Sequence, residues 1–199
     1  MTVLTRFLAM LAVLATIATA SASEVPMGDD GLHKPDWFSL TFRDIAEDIE
    51  AAKSQGKRLA LMFEQRGCGY CKEVHEKVLT DPEVKDWIKA NYMIVQYNIH
   101  GAEELTDTDG ESLTEKQAAR KWGLMFTPTI LFMPEDVPGG DVTVAQAAVA
   151  MMPGAFGKGT FLDMFQWVAA KGYDGDEDFQ SYHNRRWRER NGGPPEATQ

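Results

Sequence analysis

The sequence predicts an α/β fold, and three observations carry that prediction. Apolar strand patterns alternate with helical ones along most of the chain, the order expected of a sheet layered with helices. Hydrophobic and charged fractions of 44% and 25% are those of an ordinary folded domain, which excludes whole-chain disorder. A length of 199 residues suits one compact domain with appendages rather than two domains.

The first element, residues 1–22, reads as a signal peptide. Arg6 gives a positive start, residues 7–18 are apolar over a length short for a bilayer span, and Ala20-Ser21-Ala22 fits a small-residue cleavage site near Ala22. An uncleaved anchor is the competing reading. No later stretch is apolar enough to span, so the mature chain is expected to be soluble and exported. Losing Arg6 makes it more acidic than the full chain's net charge of −10. That balance excludes nucleic acid as a main partner, because phosphate binding needs a basic face.

Residues 23–36 are polar with Pro26, Gly28 and Gly31, and read as a flexible leader. Phe42, Ile45, Ile49 and Ala52 recur at helical spacing, predicting a helix over 41–54 that Gly56 ends. Residues 58–63 form a short apolar strand pattern. A helix is expected over 68–79, and Asp81-Pro82 breaks it and opens a second helix through Asn91. Residues 92–99 read as a buried strand. The acidic stretch 101–112 is expected to be a solvated loop, because its glycine falls too early for a calcium loop. Thr114 and Gln117 fit a capping box opening a helix to Trp122. Strands are expected over 128–133 and, more weakly, 141–151. Pro153-Gly154 turns the chain into a closing helix over 159–171. Residues 174–199 read as a polar tail. Its Arg185, Arg186, Arg188 and Arg190 suggest a solvated helix end, with acidic or anionic lipid surfaces as the alternative.

The chain has two cysteines, Cys68 and Cys71. A bridge across two residues restrains an unfolded chain little, so stability is a poor reason for it. Zinc is disfavoured as well, since a structural site needs about four ligands and the histidines are scattered. Redox chemistry fits the context, a strand running into a short loop and then a helix start. At a helix N-terminus, free backbone N–H groups favour the Cys68 thiolate, the nucleophilic form. Cys71 lies about one turn deeper, placed to attack a mixed disulfide on Cys68. Gly69 leaves room for a substrate chain and Tyr70 offers a ring beside the sulfur. His75, four residues after Cys71, reads as surface or partly packed, with modulation of the pair as the alternative. Independently, Thr127-Pro128-Thr129 places a proline at the threshold of an apolar strand, a setting in which proline is often cis.

Together these motifs resemble the thioredoxin superfamily over roughly residues 37–173. The resemblance implies a thioredoxin fold, a central mixed sheet of about four strands flanked by helices. It implies Cys68 as attacking thiol, Cys71 as resolving thiol, and Pro128 as a cis-proline with Thr127 contacting substrate backbone. Met62-Phe63-Glu64, Cys68-Gly69-Tyr70-Cys71-Lys72, Asp81-Pro82 and the acidic insert are similar to exported thioredoxin-related proteins of the SoxW type. Cys-Gly-Tyr-Cys with Thr before Pro128 is similar also to DsbC-type isomerases, whose separate dimerisation domain has no room here, so a monomer is expected. Gly67 and Met62 stand where thioredoxins carry a Trp and a buried Asp. Glu64 is the nearest candidate proton acceptor for Cys71, weighed against a surface carboxylate at a strand end.

The expected activity is thiol–disulfide exchange in the periplasm with no cofactor and no metal beyond the Cys68–Cys71 disulfide. Expected partners are exported proteins with disulfides, such as a sulfur-oxidation carrier protein or apocytochrome c. The expected electron donor is a membrane thiol relay of the DsbD or CcdA kind. The alternatives are an isomerase or oxidase, and, in another class, a non-catalytic binding module.

Overall fold

The computed structural model describes residues 25–193. The signal-peptide reading and the end of the tail lie outside them. Strands β1 (Arg58–Glu64), β2 (Tyr92–Asn98), β5 (Thr129–Phe132) and β6 (Ala150–Pro153) form one mixed sheet in the order β2-β1-β5-β6. β1 and β2 are parallel, and β5 and β6 are antiparallel to their neighbours. The chain therefore has a thioredoxin fold.

All seven residues of β1 are buried because helices cover both faces of the sheet. Alternation along β1 splits the core in two. Leu59, Leu61 and Phe63 pack with Ile45 and Ile49 of α1 (Ile45–Ser54) and with Ala118 of α4 (Glu115–Lys121). Ala60 and Met62 pack with Val74 and Val78, with Ile88 of α3 (Pro82–Asn91), and with Phe161 and Phe165 of α6 (Lys158–Ala169). Glu64 follows Met62 onto this second face.

Several elements depart from expectation. α1 starts at Ile45 rather than 41, because the Asp44 side chain accepts from Glu47 N and caps the helix there. Phe42 is consequently outside the helix and exposed. The helix after Cys68 is α2 (Gly69–Glu73) followed by a π-helical turn, Val74–Val78. The acidic stretch is not a plain loop. It holds the hairpin β3 (Glu104–Thr106) and β4 (Ser112–Thr114), and Lys121 gathers Asp107, Asp109 and Glu111 at 2.6–2.8 Å. The Thr114–Gln117 capping box is present. The strand expected over 141–151 is displaced, because a Thr143–Gln146 capping box starts α5 (Val144–Ala147) and pairing begins only at Ala150.

The described parts of the leader and tail, residues 25–36 and 174–193, are attached to the domain. In the leader, Met27 and His33 form a bridge, Leu32 and His33 are buried, and Lys34 reaches Gln96 at 2.9 Å. The apolar Leu32 and the partnered His33 hold a polar segment that composition alone marked as flexible. In the polar tail, α7 (Phe179–Asn191) is a helix with no buried residue, and it lies along α6. Arg190 clamps the fully buried Asp163 with both terminal nitrogens at 2.6 and 2.7 Å, and His183 Nδ1 reaches it at 2.6 Å. Arg185 pairs with Glu177 and Glu189, and Arg186 with Glu189. Arg190 on Asp163, with Arg186 on Gln166 at 3.3 Å, ties α7 to α6, whereas the pairs with Glu189 lie within α7.

Asp48 on α1 is 4% exposed and accepts a hydrogen bond from Thr41 Oγ1 at 3.0 Å. Burial, with Asp44 and Glu47 nearby, pushes its carboxyl up to about 6 despite that bond. A carboxyl raised on folding favours the native state below its unfolded pKa and loses that contribution as pH rises through the folded value. Asp48→Asn should therefore stabilise the protein by about 1–3 kcal/mol near pH 8 and by almost nothing below about pH 4. Urea unfolding at the two pH values checks this.

Candidate active site

The site forms where β1 ends and α2 begins. Gly67, at φ +73°, turns the chain through a left-handed conformation that side chains other than glycine's resist. Cys68 follows as the N-cap of α2. Its sulfur accepts from Cys71 N at 3.0 Å, using one of the free N–H groups at the helix start. Cys68 and Cys71 are joined as a disulfide with Cα atoms 5.2 Å apart, inside the usual range for such bridges. Cys68 is half-buried, whereas Cys71 is 2% exposed. Solvent and substrates thus meet one sulfur.

β5 brings the second part of the site. The Thr127–Pro128 peptide bond is cis. Thr127 Oγ1 lies 3.4 Å and Thr127 O 3.6 Å from Cys68 Sγ. The hydroxyl can donate to the sulfur. The carbonyl approach becomes a hydrogen bond only once Cys68 carries a thiol proton. β6 supports this loop, with Gly154 N donating to Pro128 O at 2.7 Å. Residues 59 positions apart in sequence are therefore held within contact of one another.

Gly69 is exposed, and a Cβ built there would meet nothing within 4 Å, so the space beside Cys68 is open. Tyr70 between the cysteines and Phe126 next to Thr127 are exposed at 68% and 63%. They offer apolar surface around the accessible sulfur. Phe126 was not anticipated: it precedes the strand expected over 128–133, and no motif marked it.

Glu64 is not a surface carboxylate. It is 1% exposed and meets His75 Nε2 through both oxygens, at 2.9 and 3.0 Å. His75 is fully buried, which corrects its reading as a surface or partly packed residue. Gln96 Nε2 donates to Glu64 and, at 2.8 Å, to the His33 carbonyl. Two signals for this cluster were present in the sequence. Positions 71, 74, 75 and 78 form one helical stripe, which buries the histidine among apolar residues. Gln96 interrupts an otherwise apolar strand.

Among the described residues, no group of three or more His, Cys, Asp or Glu side chains is placed to hold a metal ion, and no helix is long and apolar enough to cross a membrane.

The profile of the thioredoxin-like domain family matches residues 45–165. Among solved structures, a thioredoxin-fold protein from Helicobacter pylori superposes with a TM-score of 0.51 at 18% identity, covering 85% of this chain and 96% of its own. A thioredoxin from Thermus thermophilus gives 0.49 at 24% identity, covering 68% and 91%. DsbH oxidoreductase gives 0.40 at 16%, covering 69% and 90%. No curated protein matches significantly.

Proposed function

The chain belongs to the thioredoxin-like domain family, and on that footing we propose that it is a periplasmic thiol–disulfide oxidoreductase that reduces disulfides on exported proteins. The observation that carries this reading is the half-buried Cys68 sulfur, bonded to a buried Cys71 and faced by Thr127 at 3.4 Å. One accessible sulfur, a resolving partner beneath it and a polar loop alongside are the parts an exchange reaction requires.

In the reductive direction the Cys68 thiolate attacks a substrate disulfide. A mixed disulfide forms and one substrate thiolate leaves. Cys71 then attacks Cys68 Sγ, forming the Cys68–Cys71 bond and releasing the second substrate thiolate. Two electrons pass to the substrate. Gly69 and Tyr70 admit and flank the substrate chain, and Thr127 and Pro128 meet its backbone. Glu64 serves the Cys71 proton. The oxidised pair is restored by an incoming dithiol, for which a membrane thiol relay of the DsbD or CcdA kind is suited. The signal-like residues 1–22 support export. The SoxW-type motifs favour a sulfur-oxidation carrier protein or apocytochrome c as substrate, and a monomeric enzyme.

Equilibration with glutathione redox buffers tests the direction. A reductase should settle near about −250 mV, whereas a value near about −120 mV would make the protein an oxidant instead.

A further inference from the structure

We propose that His75, oriented by Glu64, holds the proton that Cys71 must lose when it resolves the mixed disulfide. The inference rests on the exchange reading above and names the residue through which Glu64 acts.

His75 is fully buried, and its Nε2 faces both oxygens of Glu64. A carboxylate only accepts, so Nε2 carries the hydrogen. The neutral ring then has a bare lone pair on Nδ1, which is buried and has no hydrogen-bond partner. Buried polar atoms are almost always satisfied, and an exception calls for a reason. A nitrogen waiting for a proton supplies one.

Position supplies the donor. His75 follows Cys71 by four residues, which on a helix places their Cβ atoms about 5–6 Å apart on one face. Cys71 is itself buried, so its proton has little access to water. The π-helical turn Val74–Val78 lies at this point, a distortion concentrated at functional sites. Nucleophile, base and orienting carboxylate thus follow one another as Cys71, His75 and Glu64, the order of thiol–imidazole–acid systems.

Neighbouring groups enclose the ring. From the leader, His33 stacks on His75 with centroids 5.0 Å apart, and burial together with His75 holds the His33 pKa below its usual value. From β2, Gln96 donates to Glu64 and accepts from Lys34, which also pairs with Asp30. Lys72 and Glu76 on the helix itself act electrostatically on His33. The leader thereby closes the cluster against a cleft of about 290 Å³ lined by Met27, His33, Lys72 and Glu76.

The step balances. The Cys71 S–H proton moves to His75 Nδ1 while the sulfur bonds Cys68 Sγ. The Cys68–substrate bond breaks with its electron pair on the substrate sulfur, which then takes up a proton.

The test uses the full chain and measures the two exchange steps separately. Reduced protein is mixed with an aromatic disulfide, and the first and second released thiolates are timed. In parallel, the Cys71 thiolate is titrated by ultraviolet absorbance in a Cys68→Ala background. His75→Gln should slow the second release roughly tenfold to a hundredfold and leave the first unchanged. It should also cut the Cys71 thiolate fraction near neutral pH roughly tenfold. Glu64→Gln, which frees the tautomer, should act in the same direction. Normal second release with an unaltered Cys71 titration in these variants would overturn the proposal. If His75→Gln does not fold, Glu64→Gln decides alone. Failure of the parent protein to release the first thiolate would instead sink the exchange reading itself.

Discussion

Cys71→Ser protein is expected to accumulate mixed disulfides through Cys68 that outlive the wild-type intermediate by roughly a thousandfold. Resolution is intramolecular, because Cys71 is already within bonding distance of Cys68 across one helical turn. A serine hydroxyl at the same place cannot attack a disulfide. The first step, by contrast, uses the half-buried Cys68 and its backbone donor from residue 71, which the substitution leaves intact. Native extracts passed over immobilised variant should therefore yield covalently held proteins that dithiothreitol releases, and identifying them names the substrates. A Cys68→Ser, Cys71→Ser control should hold none. Equal capture by that control would mean adhesion rather than exchange.

The second large effect concerns α7. Arg190→Met is expected to destabilise the protein by about 2–4 kcal/mol near neutral pH. Asp163 is completely buried. Burial acts to raise its carboxyl, but Arg190 and His183 outweigh it and hold the pKa below the usual value. A depressed carboxyl contributes stability above its unfolded pKa and loses it as pH falls through the folded one. With Arg190 gone, His183 remains and Arg186 stands at 3.8 Å, so compensation is partial. Asp163, with its strongest partner lost, then takes up a proton at higher pH than before. The penalty should accordingly shrink as pH falls through and below the ordinary carboxylate range, about pH 4, where the wild-type pair itself is lost. Urea unfolding across that range, with tryptic cleavage within α7 as a local readout, checks both the size and the sign. A cost that does not change with pH would assign the loss to packing of the Arg190 stem.

Much of this was legible in the chain. β1 and β2 could be placed because their runs are mostly apolar, as strands covered on both faces must be. The cysteine pair and Pro128 could be named because each occupies a junction whose chemistry demands that residue. What sequence alone could not supply was competition between local signals. Asp44 overrode an apolar period that included Phe42, and Thr143 with Gln146 overrode a strand pattern. The order of the leader and the docking of the tail helix were missed for a different reason. Their attachment depends on a few long-range polar contacts, Lys34 to Gln96 and Arg190 to Asp163, and composition does not record partners. Glu64 was weighed between a proton acceptor and a surface carboxylate, and its burial against His75 lay hidden behind the habit of reading histidines as surface or partly packed groups.

The central claim is electron exchange at Cys68 and Cys71. Reduction of insulin by dithiothreitol, followed by turbidity, measures it most directly. The wild-type chain should accelerate precipitation well above the uncatalysed rate, and a Cys68→Ala, Cys71→Ala variant should not. Equal rates for the two proteins would contradict the account and leave the fold as a scaffold for binding alone.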